Sequence, residues 1–308
     1  SQAVKCLILL AVVALLFVTE LIPLAITATA GAISCGLLGF IPAKQVFSGL
    51  SDSTVVLFAG MFVVGASMFY TGLAQKIGGV VVKMCGTGEN SLMFGLMMVG
   101  TVLSSCLSNT GTAACLLPVA LGICAAAKIP ASRQLMPLAF ACGWGGIITM
   151  VGTPPNIIAV GAMTSAGLEP FGFFEFAWIG IPLTIAGILY MVFIGKYLLP
   201  KETLSENIEI DESAAKEAKA KTTDPKKMWI TALTLICVVI AMALDLPRFP
   251  LEVAAVCGAI FLVLTKCLSE HQAYTGIDWV TIFLFAGMMP IASAMDKSGA
   301  GKLIADQV

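Results

Sequence analysis

From Ser91 to Ala127 the chain runs for about 37 residues without one charged side chain. In the middle of that run sits a polar stretch, Ser104-Ser105-Cys106-Leu107-Ser108-Asn109-Thr110-Gly111-Thr112. Such a block has few homes. About 20 predominantly apolar residues in a helix cross the hydrocarbon core of a bilayer, so this run is long enough to go in and come back. Lipid offers no partners to hydroxyls and amides, so the polar middle must be satisfied by protein or by a ligand. Two full crossings fit the length, and so does a hairpin that enters and leaves on one side. Both return the chain to the face it left.

The rest of the sequence has the same character. Hydrophobic residues make up 58% and charged residues 11%, against roughly 25% charged in soluble domains. We read further membrane segments over Val4–Phe17, Pro23–Phe40, Thr54–Tyr70, Leu135–Thr164 with a break inside it, Phe173–Leu199, Met228–Leu244, Pro250–Thr265 and Trp279–Met295. Thr71–Lys83 and Pro200–Lys227 read as polar breaks. The second holds a linker, Lys201–Lys227, with 13 of the 35 charged residues in alternating sign, the pattern of a solvated connector. The expected fold is therefore an all-α polytopic membrane protein of the cell membrane. A net charge of −1 suggests no nucleic-acid partner. The ten cysteines lie mostly inside apolar runs, form no CxxC pair and are joined by a single histidine, His271. They read as small buried residues, not as metal ligands or disulfides.

The chain repeats itself. Pro23-Leu24 recurs as Pro250-Leu251, Gly31-Ala32-Ile33 as Gly258-Ala259-Ile260, and Phe58-Ala59-Gly60-Met61 as Phe285-Ala286-Gly287-Met288. Met68 and Gly72 recur as Met295 and Gly299, and every match keeps one ungapped shift of 227 residues. We divide the chain into a first repeat over residues 1–200, the linker over 201–227 and a shortened second repeat over 228–308. The first repeat comprises three transmembrane helices, a re-entrant hairpin at about 91–127, a broken helix at about 135–164 and a helix at about 173–199. Five net crossings in the first repeat place the second in the opposite orientation, an inverted-topology repeat. Twelve of the 17 Lys and Arg residues fall on the face that carries the linker, including Lys196 and Lys266, which puts that face in the cytoplasm.

Two constellations carry chemistry. In the hairpin, Ser104 and Ser108 stand four residues apart and would share a helix face, while Asn109 and Thr110 suit a turn and an N-cap. In the broken helix, Gly145-Gly146-Ile147-Ile148-Thr149-Met150-Val151-Gly152-Thr153-Pro154-Pro155-Asn156 combines glycines with two prolines that remove backbone donors. We expect regular hydrogen bonding to fail between about Val151 and Asn156, with the helix restarting after the prolines. A capped hairpin packed by small residues and a plain proline kink are the bland alternatives. Taken together, carbonyls freed near Gly152 and the Ser and Asn oxygens form a hard-oxygen cage for a small cation such as Na⁺. Two helix N-termini would meet an anion without any buried Arg or Lys.

These residues resemble the divalent anion–sodium symporters, carriers of di- and tricarboxylates or sulfate. The resemblance rests on Ser108-Asn109-Thr110, on Gly152-Thr153-Pro154-Pro155-Asn156, and on Phe173-Phe174 followed by Trp178-Ile179-Gly180-Ile181-Pro182-Leu183. It implies a sodium site lined by Ser104, Ser108, Asn109 and Gly152. It also implies substrate contacts at Asn109, Thr110, Thr153 and Pro154, and a homodimer whose transport domain moves like an elevator. A second Ser-Asn-Thr is expected near residue 335 and a second proline break near residue 379, by the shift of 227. The chain is thus expected to be a piece of a longer one, holding about half of the site. The competing readings are a citrate–metal, arsenite or proton-coupled carrier of the wider ion-transporter superfamily, or a nonfunctional half-transporter. An enzyme is disfavoured, because Glu20, Asp52, Glu175, Asp245, Glu252 and Asp278 all fall near segment ends.

Overall fold

The computed structural model describes residues 2–85, 88–127, 129–165, 167–199, 224–244 and 249–301. Most of the linker, residues 201–223, lies outside the described residues, as do Lys128, Arg248 and Lys302. Thirteen α-helices make up the described chain. They are α1 (Gln2–Thr19), α2 (Leu24–Leu37), α3 (Ser53–Tyr70), α4 (Leu73–Cys85), α5 (Glu89–Ser104), α6 (Asn109–Ala127) and α7 (Ser132–Gly146). Then follow α8 (Pro154–Ser165), α9 (Ala177–Phe193), α10 (Pro225–Ala243), α11 (Leu251–Leu264), α12 (Glu270–Thr275) and α13 (Trp279–Ser298). Four of them, α1, α3, α10 and α13, are long and apolar enough to cross a membrane by length and composition.

Each expected segment has its helix, and two helices, α4 and the short α12, were not expected. The stretch Thr71–Lys83, read as a polar break, contains α4. Ala74 is buried in the core cluster with Leu73 and Ile77 packed on it, whereas Lys76 is exposed. An amphipathic helix with one apolar stripe has too many polar residues to look like a membrane span, yet buries a full face.

The chain forms two compact units. The first comprises residues 1–59 and 277–308. In it α13 lies along α2 with small residues at the contact: a Cβ on Gly287 would come within 2.6 Å of the Ala28 carbonyl carbon. Absence of side-chain bulk lets backbones approach this closely, the usual device where lipid removes any hydrophobic drive between helices. Phe58 stacks on Phe285 at 5.0 Å with planes 7° apart.

The second unit spans residues 60–276. Its centre is the pair α5 and α7, joined by α4, α6 and α9. Leu92, Leu96, Val99, Leu103, Leu116 and Leu138 are buried in one cluster there. At the start of the pair, the Arg133 guanidinium bonds Glu89 Oε1 at 2.6 Å and the Lys196 carbonyl at 2.9 Å. Those bonds tie the first turns of α5 and α7 to the chain beyond α9.

Within the two units the repeat shows itself as exchanged contacts. In the second unit a Cβ on Gly60 of α3 would lie 2.8 Å from Ala255 of α11. The shift of 227 turns Gly60 into Gly287, and Ala255 is the image of Ala28, the pair found in the first unit. Gly31 against Ile291 and Gly258 against Val64 form a second such couple, and Phe58–Phe285 is its own image.

Candidate functional site

Helix α5 stops at Ser104 and α6 begins at Asn109, so the charge-free block is a helical hairpin whose turn is Ser105–Ser108. The polar middle of the block predicts a turn at about Ser108–Gly111, and the structure sets it three residues earlier. Ser104 is fully buried and its hydroxyl bonds the Cys142 carbonyl of α7 at 2.7 Å, which anchors the end of α5 there. Ser108 does not share a helix face with Ser104, because the helix has ended. It is exposed and acts as the N-cap of α6, its Oγ accepting from Gly111 N at 3.2 Å. The capping role anticipated for Asn109 and Thr110 therefore belongs to Ser108, and Asn109 opens the helix.

Helix α7 ends at Gly146 and α8 starts at Pro154, leaving Ile147–Thr153 as the break. The break begins earlier than Val151 and closes at the prolines instead of after them. Pro154 occupies the first helical position, where its missing N–H has no role. Two side chains hold the loop. Asn156 Nδ2 donates to the Thr149 carbonyl at 2.9 Å, with the Gly146 and Ile147 carbonyls each at 3.5 Å. Thr149 Oγ1 donates to the Ser105 carbonyl and accepts from Gly152 N at 3.2 Å. From behind, Met150 N bonds the Phe173 carbonyl at 3.0 Å, and Gly180 backs onto Ile147 with no room for a side chain. The Phe173 and Gly180 motifs thus brace the break.

Hairpin turn and break meet at Asn109. One terminal atom of its amide lies 2.6 Å from Ser104 Oγ, 3.0 Å from the Cys142 carbonyl oxygen and 3.2 Å from the Gly152 carbonyl oxygen. Set as nitrogen, that atom donates toward all three oxygens. Set as oxygen, it lies 2.6–3.2 Å from three further oxygens, so four oxygens of the type a small hard cation takes gather at one place. The hydrogen-bond partners decide which end faces inward. Gly146 presses on that same ring-facing atom, and a Cβ on it would collide there.

The helix ends add a fixed field. The C-terminal ends of α5 and α7 supply Ser104, Cys142 and Gly146. The N-terminal ends of α6 and α8 supply Asn109 and Pro154. Half a positive charge at each N-terminus and half a negative at each C-terminus favour an anion and a cation side by side. Of the residues expected to touch substrate, Thr110 is exposed and Thr153 and Pro154 are half-buried, more open than Ser104 and Gly152.

The sequence reading named Ser104, Asn109 and Gly152, and the structure brings these three together; Ser108 sits at the neighbouring cap. It missed Cys142, which acts through its carbonyl, and the clasps Thr149 and Asn156. Both clasps lay inside the motif, and a Thr and an Asn flanking freed carbonyls were the available signal.

The family described as "Citrate transporter" matches residues 14–308. An uncharacterized transporter of Escherichia coli, YfbS, is 34% identical over 203 residues, 66% of this chain and 33% of its own length. An uncharacterized transporter of Haemophilus influenzae is 27% identical over 326 residues, 97% of this chain and 66% of its own. The sodium-dependent dicarboxylate transporter SdcS of Staphylococcus saprophyticus is 24% identical over 323 residues, 95% of this chain and 62% of its own. The chain thus spans between a third and two thirds of the length of these curated relatives.

Proposed function

This chain belongs to the citrate transporter family, and from that premise we propose that the full protein is a sodium-coupled secondary carrier of small divalent anions. The family and its relatives are transporters and not enzymes, and with its own long apolar helices this chain is a multi-pass protein of the cell membrane. The observation that carries the proposal is the Asn109 amide ringed by Ser104 Oγ, the Cys142 carbonyl and the Gly152 carbonyl.

With no cation present, the amide nitrogen faces the ring and closes it by hydrogen bonds. When Na⁺ enters, the amide turns and presents its oxygen, so Ser104, Asn109, Gly152 and the Cys142 carbonyl hold the ion. The nitrogen then points outward as a donor for a carboxylate at the N-termini of α6 and α8, near Thr110, Thr153 and Pro154. One side chain would couple the two ligands, and the bound cation would lower the electrostatic cost of admitting the anion. Ser108 joins the site through the cap that fixes the start of α6. The second Ser-Asn-Thr, the inverted orientation of the repeats, the re-entrant placement of the hairpin, the homodimer and the elevator movement belong to the same proposal.

The name of the family favours citrate and that of the relative SdcS favours a dicarboxylate. The test is uptake of labelled citrate, succinate and sulfate by the full-length protein in proteoliposomes, driven by sodium, proton or no gradient. Saturable uptake of one of them that needs inward sodium is expected. Uptake driven equally by protons alone removes the sodium assignment, and citrate uptake that requires a divalent metal moves the reading to a citrate–metal carrier.

A further inference from the structure

We propose that the cavity beside the end of α11 binds the phosphate of an anionic lipid headgroup between Lys227 and Lys266. The cavity, of about 400 Å³, lies in the second unit and is lined by Tyr70, Thr71, Lys227, Lys266, Ser269 and Gln272, among others. Its neutral polar groups are already engaged. Ser269 and Gln272 bond each other's backbones as a capping box, and Thr71 Oγ1 donates to the Ser67 carbonyl at 2.7 Å. Among the described residues, neither lysine ammonium has an ion-pair or hydrogen-bond partner. What the cavity offers a ligand is therefore positive charge.

The repeat supplies an internal control. In the first unit, a cavity of about 200 Å³ is lined by Ile41, Gln45 and Lys297, the images of Leu268, Gln272 and Tyr70 under the shift of 227. There Lys297 Nζ donates to Gln45 Oε1 at 2.7 Å, so its cation is satisfied within the protein. The image of Lys266 is Gly39. Both residues follow a helix in the left-handed region, Gly39 at φ 76° and Lys266 at φ 56°. The same capping bonds surround them: Gly39 N to Gly36 O and Phe40 N to Cys35 O in one, Lys266 N to Val263 O and Cys267 N to Leu262 O in the other. Glycine is the residue this backbone prefers. A cation at a helix C-terminus is favourable in many places on the last turn, which does not explain a lysine at the one position where a Cβ is strained. The side chain is retained there against the backbone's preference, as strained residues at binding sites are.

A lipid is the source that the surroundings favour. Trp229, two residues beyond Lys227, is 76% exposed and Tyr274 of α12 is 57% exposed. Aromatic residues of this kind mark the headgroup level of a membrane protein. The distribution of Lys and Arg puts Lys266 on the cytoplasmic side, where anionic lipids gather and basic pockets between helices take phosphate headgroups. The inference needs only a membrane location and is independent of what the protein carries.

The test is the unfolding temperature of the full-length protein in detergent, titrated with phosphatidylglycerol, phosphatidylcholine or inorganic phosphate. Phosphatidylglycerol is expected to stabilise the wild type more than phosphatidylcholine does. The half-saturating phosphatidylglycerol concentration should rise about fivefold in Lys266→Gly and about fivefold in Lys227→Gln, one lysine's share of such a contact. Lys266→Gly adopts the residue that Gly39 shows to be compatible, so its fold is retained and its loss of response is specific. Stabilisation by inorganic phosphate alone, lost in the same variants, keeps the phosphate site and moves its source to solution. Equal responses to the two lipids, or an unchanged phosphatidylglycerol response in Lys266→Gly, overturn the proposal.

Discussion

Replacing Asn109 separates the ion site from hairpin packing. In Asn109→Ala, Ser104 keeps its 2.7 Å bond to the Cys142 carbonyl, so the anchor of α5 on α7 survives. What disappears is the amide 3.2 Å from the Gly152 carbonyl, the group bridging the hairpin turn and the break. Losing one buried partner of a charged group costs about 1.5–3 kcal/mol, or roughly tenfold to over a hundredfold in sodium affinity. Asn109→Asp keeps the shape and removes the donor. Its carboxylate faces two carbonyl oxygens at 3.0 and 3.2 Å with nothing between them. The folded state should therefore be weakened without sodium and recover as sodium is added, by mass action of about 2.7 kcal/mol at a hundred times the dissociation constant. Ser105→Ala serves as the control, since among the described residues Ser105 Oγ bonds only the Val102 carbonyl of its own helix and the sulfur of Cys106. Its effect should stay within about 0.5 kcal/mol. The assays are initial uptake rate against sodium concentration in the full-length protein, with surface expression checked, and unfolding temperature with and without sodium. If Ser105→Ala is as damaging as Asn109→Ala, or the Asp variant is indifferent to sodium, the reasoning about the four-oxygen ring is wrong and the motif serves packing.

Three further outcomes are expected. Thr149→Val strands both the Ser105 carbonyl and Gly152 N, at about 1–3 kcal/mol for each buried group left without a partner; Thr149→Ser should restore sodium-dependent uptake, and failure of that rescue would implicate the methyl group's packing instead. Asn156→Leu removes the donor shared by the Thr149, Gly146 and Ile147 carbonyls, so uptake should fall while expression persists, as read by transport per copy at the surface. Gly145→Ala drives a Cβ into the Thr101 backbone and should force α5 and α7 apart, whereas Gly122→Ala, with open space around it, should leave the unfolding temperature within about 0.5 kcal/mol of wild type; equal effects from the two would contradict the packing described.

The helices were legible because apolar runs and the proline and glycine punctuation are properties of side chains. Helix α4 escaped, since Gln75, Lys76 and Lys83 break the apolar run while Ala74 faces the core. The hairpin turn was displaced by a bond that no local rule predicts, Ser104 to a carbonyl 38 residues away. Asn109 and Gly152 could be named from their types and setting. The Cys142 carbonyl could not, because every residue carries one and only the packing of α5 against α7 selects it.

The exchanged contacts have a consequence for how the protein is made. The first unit joins residues 1–59 to residues 277–308, so α2 is threaded into the membrane long before the ribosome has built α13. At roughly 5–20 residues per second, the interval is on the order of 10–40 s. During that time the Ala28 face of α2, which α13 later covers, has lipid, the insertion machinery or a chaperone to lie against. A nascent chain released before residue 277 would keep that face bare, and such a product should be recognised and degraded even though α1 and α2 are both complete.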